Sequence, residues 1–163
     1  MTNYSFIQRL LHRGILSTQL MREVMFDIEK FIFFENDLNI KNNHIFISGL
    51  ARSGTTVLLN AIYKSNQFAS ITYDDMPFIL APNFWAKLSP KKNHKVLLER
   101  AHGDGIKIHT NSPEAFEEVF WNTFDKDLSF QKDLFIKFIS LILKKNNKTR
   151  YLSKNNQNIR RLD

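Results

Sequence analysis

The sequence predicts an α/β fold with a parallel sheet, because short apolar strands alternate with helical segments along the chain. Residues 44–48, reading HIFIS, are rich in β-branched and aromatic side chains, as buried strands are. Residues 68–73 and 151–153 are two further candidate strands. Apolar residues at helical spacing lie between these strands, so we expect helices to pack on the sheet.

The composition favours one globular domain with an anionic partner. The chain has 163 residues, enough for a hydrophobic core, and no cysteine, which excludes a disulfide scaffold, a thiol nucleophile and a thiolate zinc site. Its 23 Lys and Arg exceed its 16 Asp and Glu, a net charge of +7. Residues 142–163 hold seven of these cations and one anion. Such a cluster is typical of a nucleic-acid-binding tail, and equally of a larger fold cut where a phosphate site is being built, so no specific nucleic acid is expected as partner.

No segment resembles a targeting signal or a membrane span. Polar residues interrupt every apolar run in residues 1–16, so a secretory signal is not indicated. The longest apolar runs, at residues 31–34 and 138–143, are too short to cross a bilayer. We therefore expect a cytoplasmic protein without a transmembrane segment.

Residues 1–43 are predicted to form helices ahead of the α/β domain, which covers residues 44–163. Apolar side chains recur at helical spacing in residues 5–16. Ser17 or Thr18 can cap a second helix. The expected buried side of this second helix consists of Leu20, Met21, Val24, Met25, Ile28, Phe31 and Ile32.

Three more helices are predicted after the first strand. Residues 55–64 have helical character, and residues 127–144 bury apolar side chains at helical spacing. Ser112, Pro113 and Glu114 combine a cap, a proline at the first helical position and an acidic first turn, which predicts a helix beginning there.

The most specific motif is GLARSGTT, residues 49–56, between the first strand and the helix that follows it. Two glycines five positions apart let backbone N–H groups converge on one concavity, and the helix adds its positive dipole end. Thr55 and Thr56 add hydroxyl donors, and Arg52 adds a forked, permanent positive charge. The motif therefore predicts a site for a phosphate or a sulfate group.

The loop departs from the Walker A pattern GxxxxGK[ST], because Thr55 stands where that pattern requires lysine. This departure argues against a P-loop nucleotide kinase or NTPase, which stays open as an alternative. A non-catalytic module that binds anions or nucleic acid through the basic C-terminal residues is a second alternative.

Residues 45–61, IFISGLARSGTTVLLNA, resemble the 5′-phosphosulfate loop of sulfotransferases that use 3′-phosphoadenosine 5′-phosphosulfate (PAPS), especially the bacterial and tyrosylprotein branch. Ala51 replaces the proline that is common in that loop. The resemblance implies a three-layer sandwich like that of P-loop nucleotide hydrolases, PAPS as co-substrate and a hydroxyl acceptor on a glycan, a peptide or a small molecule. It also implies that the 5′-phosphosulfate is bound by these residues: Arg52, Ser53, Gly54, Thr55 and Thr56.

Transfer of a sulfuryl group requires a base for the acceptor hydroxyl and a cation for the leaving oxygen, and no obligatory metal is expected. The resemblance favours Asp75 as the base and Asp74 as the second choice. Both aspartates precede Met76 and Pro77, so the alternative is that they end a strand and cap a turn.

The resemblance also implies a catalytic role for Lys154 at the bridging oxygen, beside Arg52, with Asn155 or Asn156 in support. The alternative for Lys154 is a solvated lysine in a basic stretch. His102, in the segment ERAHGDGI, is a candidate for acceptor binding or proton transfer, or else a surface histidine in a glycine turn.

The resemblance covers residues 45–163 and amounts to the first half of a sulfotransferase domain. Family members continue with a helix, a strand and the arginine and serine that hold the 3′-phosphate. The expectation is therefore a fragment, a truncated product or one half of a split protein, in which the 3′-phosphate is poorly held.

Overall fold

The computed structural model describes residues 18–35, 43–50, 52–89, 98–99, 107–125 and 128–161. The helices there are α1 (Gln19–Phe33), α2 (Thr55–Tyr63), α3 (Pro82–Leu88), α4 (Glu118–Thr123) and α5 (Leu128–Asn146). The strands are β1 (Ile45–Ile47), β2 (Leu98–Glu99), β3 (Lys107–Ile108) and β4 (Leu152–Lys154), and 3₁₀-helices span Tyr73–Asp75 and Asn156–Arg161. The helix predicted within residues 5–16 lies outside the described residues.

A parallel pair of strands connects the two ends of the described chain. In this pair β1 lies beside β4, with Ile45 opposite Leu152 and Ile47 opposite Lys154. Ala69 adds a parallel bridge to Tyr151, and β2 pairs with β3 in a separate antiparallel sheet. This mixture of helices with a parallel strand pair is compatible with the predicted α/β class.

The strand predicted over residues 68–73 is wrong, because the structure has only two isolated bridges there, at Ala69 and Thr72. The chain turns into a 3₁₀-helix at Tyr73. One carboxylate oxygen of Asp75 accepts hydrogen bonds from the N–H and the hydroxyl of Thr72, at 2.8 and 3.0 Å. These local bonds hold a turn where apolar content alone favours an extended strand.

Aromatic side chains dominate the larger of the clusters that form the core. Phe26 of α1, Phe120 of α4 and Phe138 of α5 are fully buried and contact one another at ring-centroid distances of 4.9 to 6.2 Å. Each phenylalanine buried in this way contributes about 1.5–3 kcal/mol. A second cluster, with Leu59 of α2 and Leu152 of β4, packs α2 on the sheet.

The buried side of α1 differs from the prediction. Phe26, Glu29 and Phe33 are buried, whereas 72% of Leu20 and 92% of Phe31 are exposed. Six of the seven side chains predicted to be buried are exposed, so the apolar stripe of α1 is not the side that faces the core. Moreover, the buried side contains a carboxylate, which a pattern of apolar residues assigns to solvent. The predicted cap at Thr18 is confirmed by the 3.3 Å bond from the Met21 N–H to its hydroxyl.

The helix predicted to begin at Ser112 is also wrong, since α4 begins at Glu118. Pro113 forms an antiparallel bridge with Thr72, and the Glu114 N–H donates to the Ile71 carbonyl at 3.2 Å. Pairing with the 69–72 segment therefore replaces the first helical turn. The helices predicted from Thr55 and over residues 127–144 are confirmed as α2 and α5, within one or two residues at each end. No helix within the described ranges is both long and apolar enough to span a bilayer.

Glu29 joins α1 to the beginning of α3. Its carboxylate accepts hydrogen bonds from the N–H and the side-chain amide of Asn83, at 2.8 and 2.7 Å, and from the Phe84 N–H at 3.0 Å. It therefore satisfies two backbone donors in the first turn of α3. Burial raises the pKa of Glu29 above the ordinary value of 4.5, and the hydrogen bonds from Asn83 and Phe84 offset part of that rise.

Replacing Glu29 by Gln should change how stability depends on pH. The folded state binds a proton on the Glu29 carboxylate more tightly than the unfolded state does. The contribution of Glu29 to the free energy of unfolding is therefore greatest at low pH, and it declines as the pH rises from 4.5 through the raised pKa. Urea unfolding between about pH 4 and pH 7 should show this decline in the unaltered chain and not in Glu29→Gln. Asp27→Asn, an exposed acid on the same helix, is the control, and equal pH slopes in the unaltered chain and Glu29→Gln would contradict the assignment.

Candidate anion-binding site

The GLARSGTT loop connects β1 to α2 through two residues in the left-handed region. Gly54, which precedes α2, has φ +83°, and Arg52 has φ +65°. The Ser53 N–H and hydroxyl both donate to the Leu50 carbonyl, at 3.2 and 2.7 Å. A Cβ on Gly49 would lie 2.9 Å from the Ser53 hydroxyl oxygen and from a Thr55 carbon. A side chain at Gly49 would therefore have to displace the Ser53 and Thr55 side chains, and Gly54 supplies the left-handed conformation before α2.

The loop presents its predicted ligands at the amino end of a helix. Arg52, Ser53 and Gly54 are exposed, and Thr55 and Thr56 are partly buried. Backbone bonding within α2 starts from the Gly54 carbonyl, which accepts from the Leu58 N–H at 3.0 Å. The positive end of the helix dipole therefore lies at the threonine pair, where negative charge is stabilised.

Lys154 meets this loop from the neighbouring strand. It is the last residue of β4 and lies opposite Ile47, the last residue of β1. Because the strands are parallel, their carboxyl ends share one edge of the sheet. The Lys154 ammonium donates to the Thr56 hydroxyl oxygen at 2.7 Å. The structure thus brings together two of the predicted site residues, which are 98 positions apart in sequence.

Glu114 is a further residue of this site, although its sequence context predicts only a helix start. Its Oε1 lies 3.3 Å from the Lys154 ammonium, and both side chains are only 9% exposed. The same oxygen accepts from the Ala115 N–H at 2.9 Å, and Oε2 lies 3.5 Å from the Tyr73 hydroxyl. No spacing in the sequence indicates this pairing, because Pro113 followed by Glu114 is typical of a helix start.

Asp75 has a different set of contacts. One oxygen accepts from Thr72 twice, and the other forms an ion pair with Lys145 of α5. The residue is 2% exposed. These are the contacts of a turn-capping carboxylate, which is the alternative that the sequence left open. Its neighbour Asp74 is fixed through its backbone: its N–H donates to Thr110 at 2.7 Å, and its carbonyl accepts from the Trp85 indole at 2.9 Å.

The remaining predicted residues lie around the end of β4. The Asn155 N–H donates to the Ile47 carbonyl at 3.0 Å and extends the strand pairing by one bond. Its side-chain amide donates to Glu118 at 2.5 Å. The Asn156 carbonyl accepts from the Ser48 hydroxyl at 3.4 Å, so this residue adjoins the start of the loop. His102 lies outside the described residues.

A buried tyrosine supports β4 from behind this edge. The Tyr151 hydroxyl donates to Glu117 at 3.1 Å, and Glu117 also accepts from the Trp121 indole at 2.9 Å. Burial, together with the nearby charge of Glu117, raises the pKa of Tyr151 well above its ordinary value of 10.0. Tyr151 is therefore neutral over the physiological range and acts as a fixed donor that holds β4 against α4.

No family model, curated protein or solved structure matches this chain. The functional assignment consequently depends on the geometry of the loop, Lys154 and Glu114.

Replacing Arg52 by glycine should separate stability from anion binding. Glycine adopts a φ of +65° without the steric strain that arginine has there. Relief of this strain offsets the greater backbone entropy that glycine gives the unfolded chain, so the free energy of unfolding should stay within about 1 kcal/mol of that of the unaltered chain. Loss of the guanidinium should nevertheless weaken phosphate or sulfate binding about tenfold. Urea unfolding and calorimetric titration measure the two effects, and equal anion affinity in both proteins would exclude Arg52 as a ligand.

Replacing Asp75 by Asn should lower the stability of the fold. The substitution leaves the Lys145 ammonium, whose side chain is 17% exposed, without its carboxylate, at a cost of about 3 kcal/mol. Combining it with Lys145→Met should recover part of the loss, which a double-mutant cycle of urea unfolding would measure. If Asp75→Asn unfolded at the same urea concentration as the unaltered chain, the turn-capping role of Asp75 would be overturned.

Proposed function

We propose that the chain binds the 5′-phosphosulfate group of PAPS in the GLARSGTT loop and transfers its sulfuryl group to a hydroxyl acceptor. The observation that carries the proposal is the 2.7 Å bond between Lys154 and Thr56. It places a positive charge from β4 at the hydroxyl of a loop that is suited to a tetrahedral anion. A three-layer sandwich of the P-loop type is the corresponding proposal for the fold, and it is supported by the order β1, loop, α2 and by the parallel neighbour β4.

Each loop residue has a separate task in this proposal. Ser53 holds the shape of the loop through its two bonds to the Leu50 carbonyl, and the backbone of Gly54 lines the anion. The hydroxyls of Thr55 and Thr56 donate to the anion's oxygens at the positive end of α2. Arg52 approaches from the solvent side, because its exposed side chain has room to fold over the bound group. Binding energy from these contacts orients the sulfur for attack.

Lys154 acts on the leaving oxygen. During transfer the acceptor oxygen forms a bond to sulfur while the bond between sulfur and the 5′-phosphate oxygen breaks, so negative charge grows on that phosphate oxygen. An ammonium held at the end of a strand stabilises this charge without having to reorganise. The cation therefore comes from β4, whereas a Walker A loop carries its lysine at the position of Thr55.

The direct test of the proposed donor is binding of adenosine 3′,5′-bisphosphate, the product that keeps the leaving phosphate. Lys154→Met should weaken its binding about tenfold or more, because a charged hydrogen bond is worth about 1.5–3 kcal/mol. Lys148→Met is the matched control: Lys148 bonds to Asn66 and belongs to the same basic stretch. The control should change affinity less than about twofold at constant salt concentration.

Titration calorimetry of the three proteins, each confirmed as folded by circular dichroism, gives the affinities. Transfer of labelled sulfur from PAPS to hydroxylated peptides, glycans and phenols tests the reaction itself. Tighter binding of magnesium-ATP than of the bisphosphate would favour a nucleotide kinase or NTPase instead. Equal losses in Lys154→Met and Lys148→Met would favour nonspecific binding by the basic stretch.

A further inference from the structure

The lysine of the proposed site is already neutralised within the chain. The Lys154 ammonium lies 3.3 Å from the Glu114 carboxylate and 2.7 Å from the Thr56 hydroxyl oxygen. Both charged side chains are 9% exposed, so solvent screens their attraction only in part. The described chain therefore holds a cation and its counter-ion side by side at the edge of the loop.

An anion that enters the loop competes with Glu114 for this ammonium. The phosphate and the carboxylate carry charge of the same sign, so each gains the ammonium at the expense of the other. Donor binding is therefore opposed by Glu114 for as long as the carboxylate stays paired with Lys154. This competition ends when Lys154 turns from Glu114 towards the phosphate oxygen and the carboxylate turns towards the acceptor.

We infer that Glu114 is the internal counter-ion of Lys154 that the donor displaces, and that the displaced carboxylate is the base for the acceptor hydroxyl. This inference rests on the proposed function. In the transfer step the hydroxyl proton passes to a Glu114 oxygen and the acceptor oxygen bonds to sulfur. The sulfur–oxygen bond of the donor breaks, and its electron pair stays on the 5′-phosphate beside Lys154.

The contacts of the other nearby acid favour this assignment. Asp75 holds the turn at Thr72 with one oxygen and Lys145 with the other, so its removal from these partners would open the 3₁₀-helix and break a buried ion pair. Glu114 also accepts from the Ala115 N–H at 2.9 Å and lies 3.5 Å from the Tyr73 hydroxyl, but its charged partner is a lysine that has a second role at the loop. Movement of Glu114 is thus coupled to donor binding. The acceptor hydroxyl therefore meets its base only when the donor is present.

The counter-ion role is tested by a double-mutant cycle on binding of adenosine 3′,5′-bisphosphate. Glu114→Gln keeps the shape of the side chain and removes its charge, so affinity should rise about fivefold. In the Lys154→Met background no ammonium is withheld from the nucleotide, so the gain should fall below about twofold. A gain as large as in the unaltered chain would show that Glu114 repels the nucleotide directly and would overturn the counter-ion role. The control Glu35→Gln removes a carboxylate that pairs with Lys144 outside the loop, and it should leave affinity unchanged.

The base role is tested by transfer of labelled sulfur from PAPS. Glu114→Gln should lower the transfer rate at saturating donor about 100-fold or more, although it binds the nucleotide more tightly. Glu114→Asp keeps a carboxylate and should recover part of that rate. Urea unfolding of each variant shows whether it remains folded under the assay conditions.

The outcomes separate this inference from the proposed function. If the unaltered chain bound neither PAPS nor the bisphosphate, the proposed function would be overturned. If it bound them but Glu114→Gln bound equally or more weakly, the counter-ion role would be overturned and the function would stand. Transfer that is unchanged in Glu114→Gln would overturn the base role. Transfer that is undetectable in the donor-bound unaltered chain would overturn the base role together with the transfer step of the proposed function.

Discussion

The hydrogen bond from Lys154 to Thr56 depends on the parallel register of β1 and β4, and the candidate site depends on that bond. With Ile47 opposite Lys154, the strand ends coincide and the lysine reaches the first turn of α2. A shift of one residue would turn the lysine side chain to the other face of the sheet. Tyr151 immediately precedes β4, and its buried hydrogen bond to Glu117 helps to exclude such a shift.

Buried carboxylates connect the parts of the chain that strands do not. Glu29 binds the beginning of α3 to α1, and Asp75 joins the 3₁₀-turn to α5 through Lys145. Glu117 joins α4 to β4 through Tyr151. Each satisfies donors that burial would otherwise leave unpaired, which is the condition under which a buried acid stabilises a fold. The aromatic core supplies non-directional attraction, whereas these acids fix which segments meet.

The local features of the site could be predicted from the sequence, and the long-range ones could not. The loop, the start of α2 and the short strand before Lys154 follow from glycine spacing and from the pattern of apolar residues within short windows. The side of α1 that faces the core is different, because Phe26 and Glu29 are selected by partners on distant segments. Likewise Glu114 meets Lys154 across 40 positions, and Asp75 meets Lys145 across 70. No periodic pattern encodes such pairs.

The partner of each acid distinguishes a structural carboxylate from a reactive one better than its position in the sequence does. Asp75 follows a predicted strand, where a base is expected, but its oxygens are committed to backbone and side-chain donors that hold a turn. Glu114 is tied to a lysine whose other contact is the anion loop, so a ligand that attracts Lys154 also changes the environment of Glu114. Moving Glu114 breaks its bond from the Ala115 N–H, but a ligand that attracts Lys154 also removes the charge that holds this carboxylate in place. Asp75 would have to leave a turn and an ion pair with Lys145, and this difference is the physical reason for proposing Glu114 as the base.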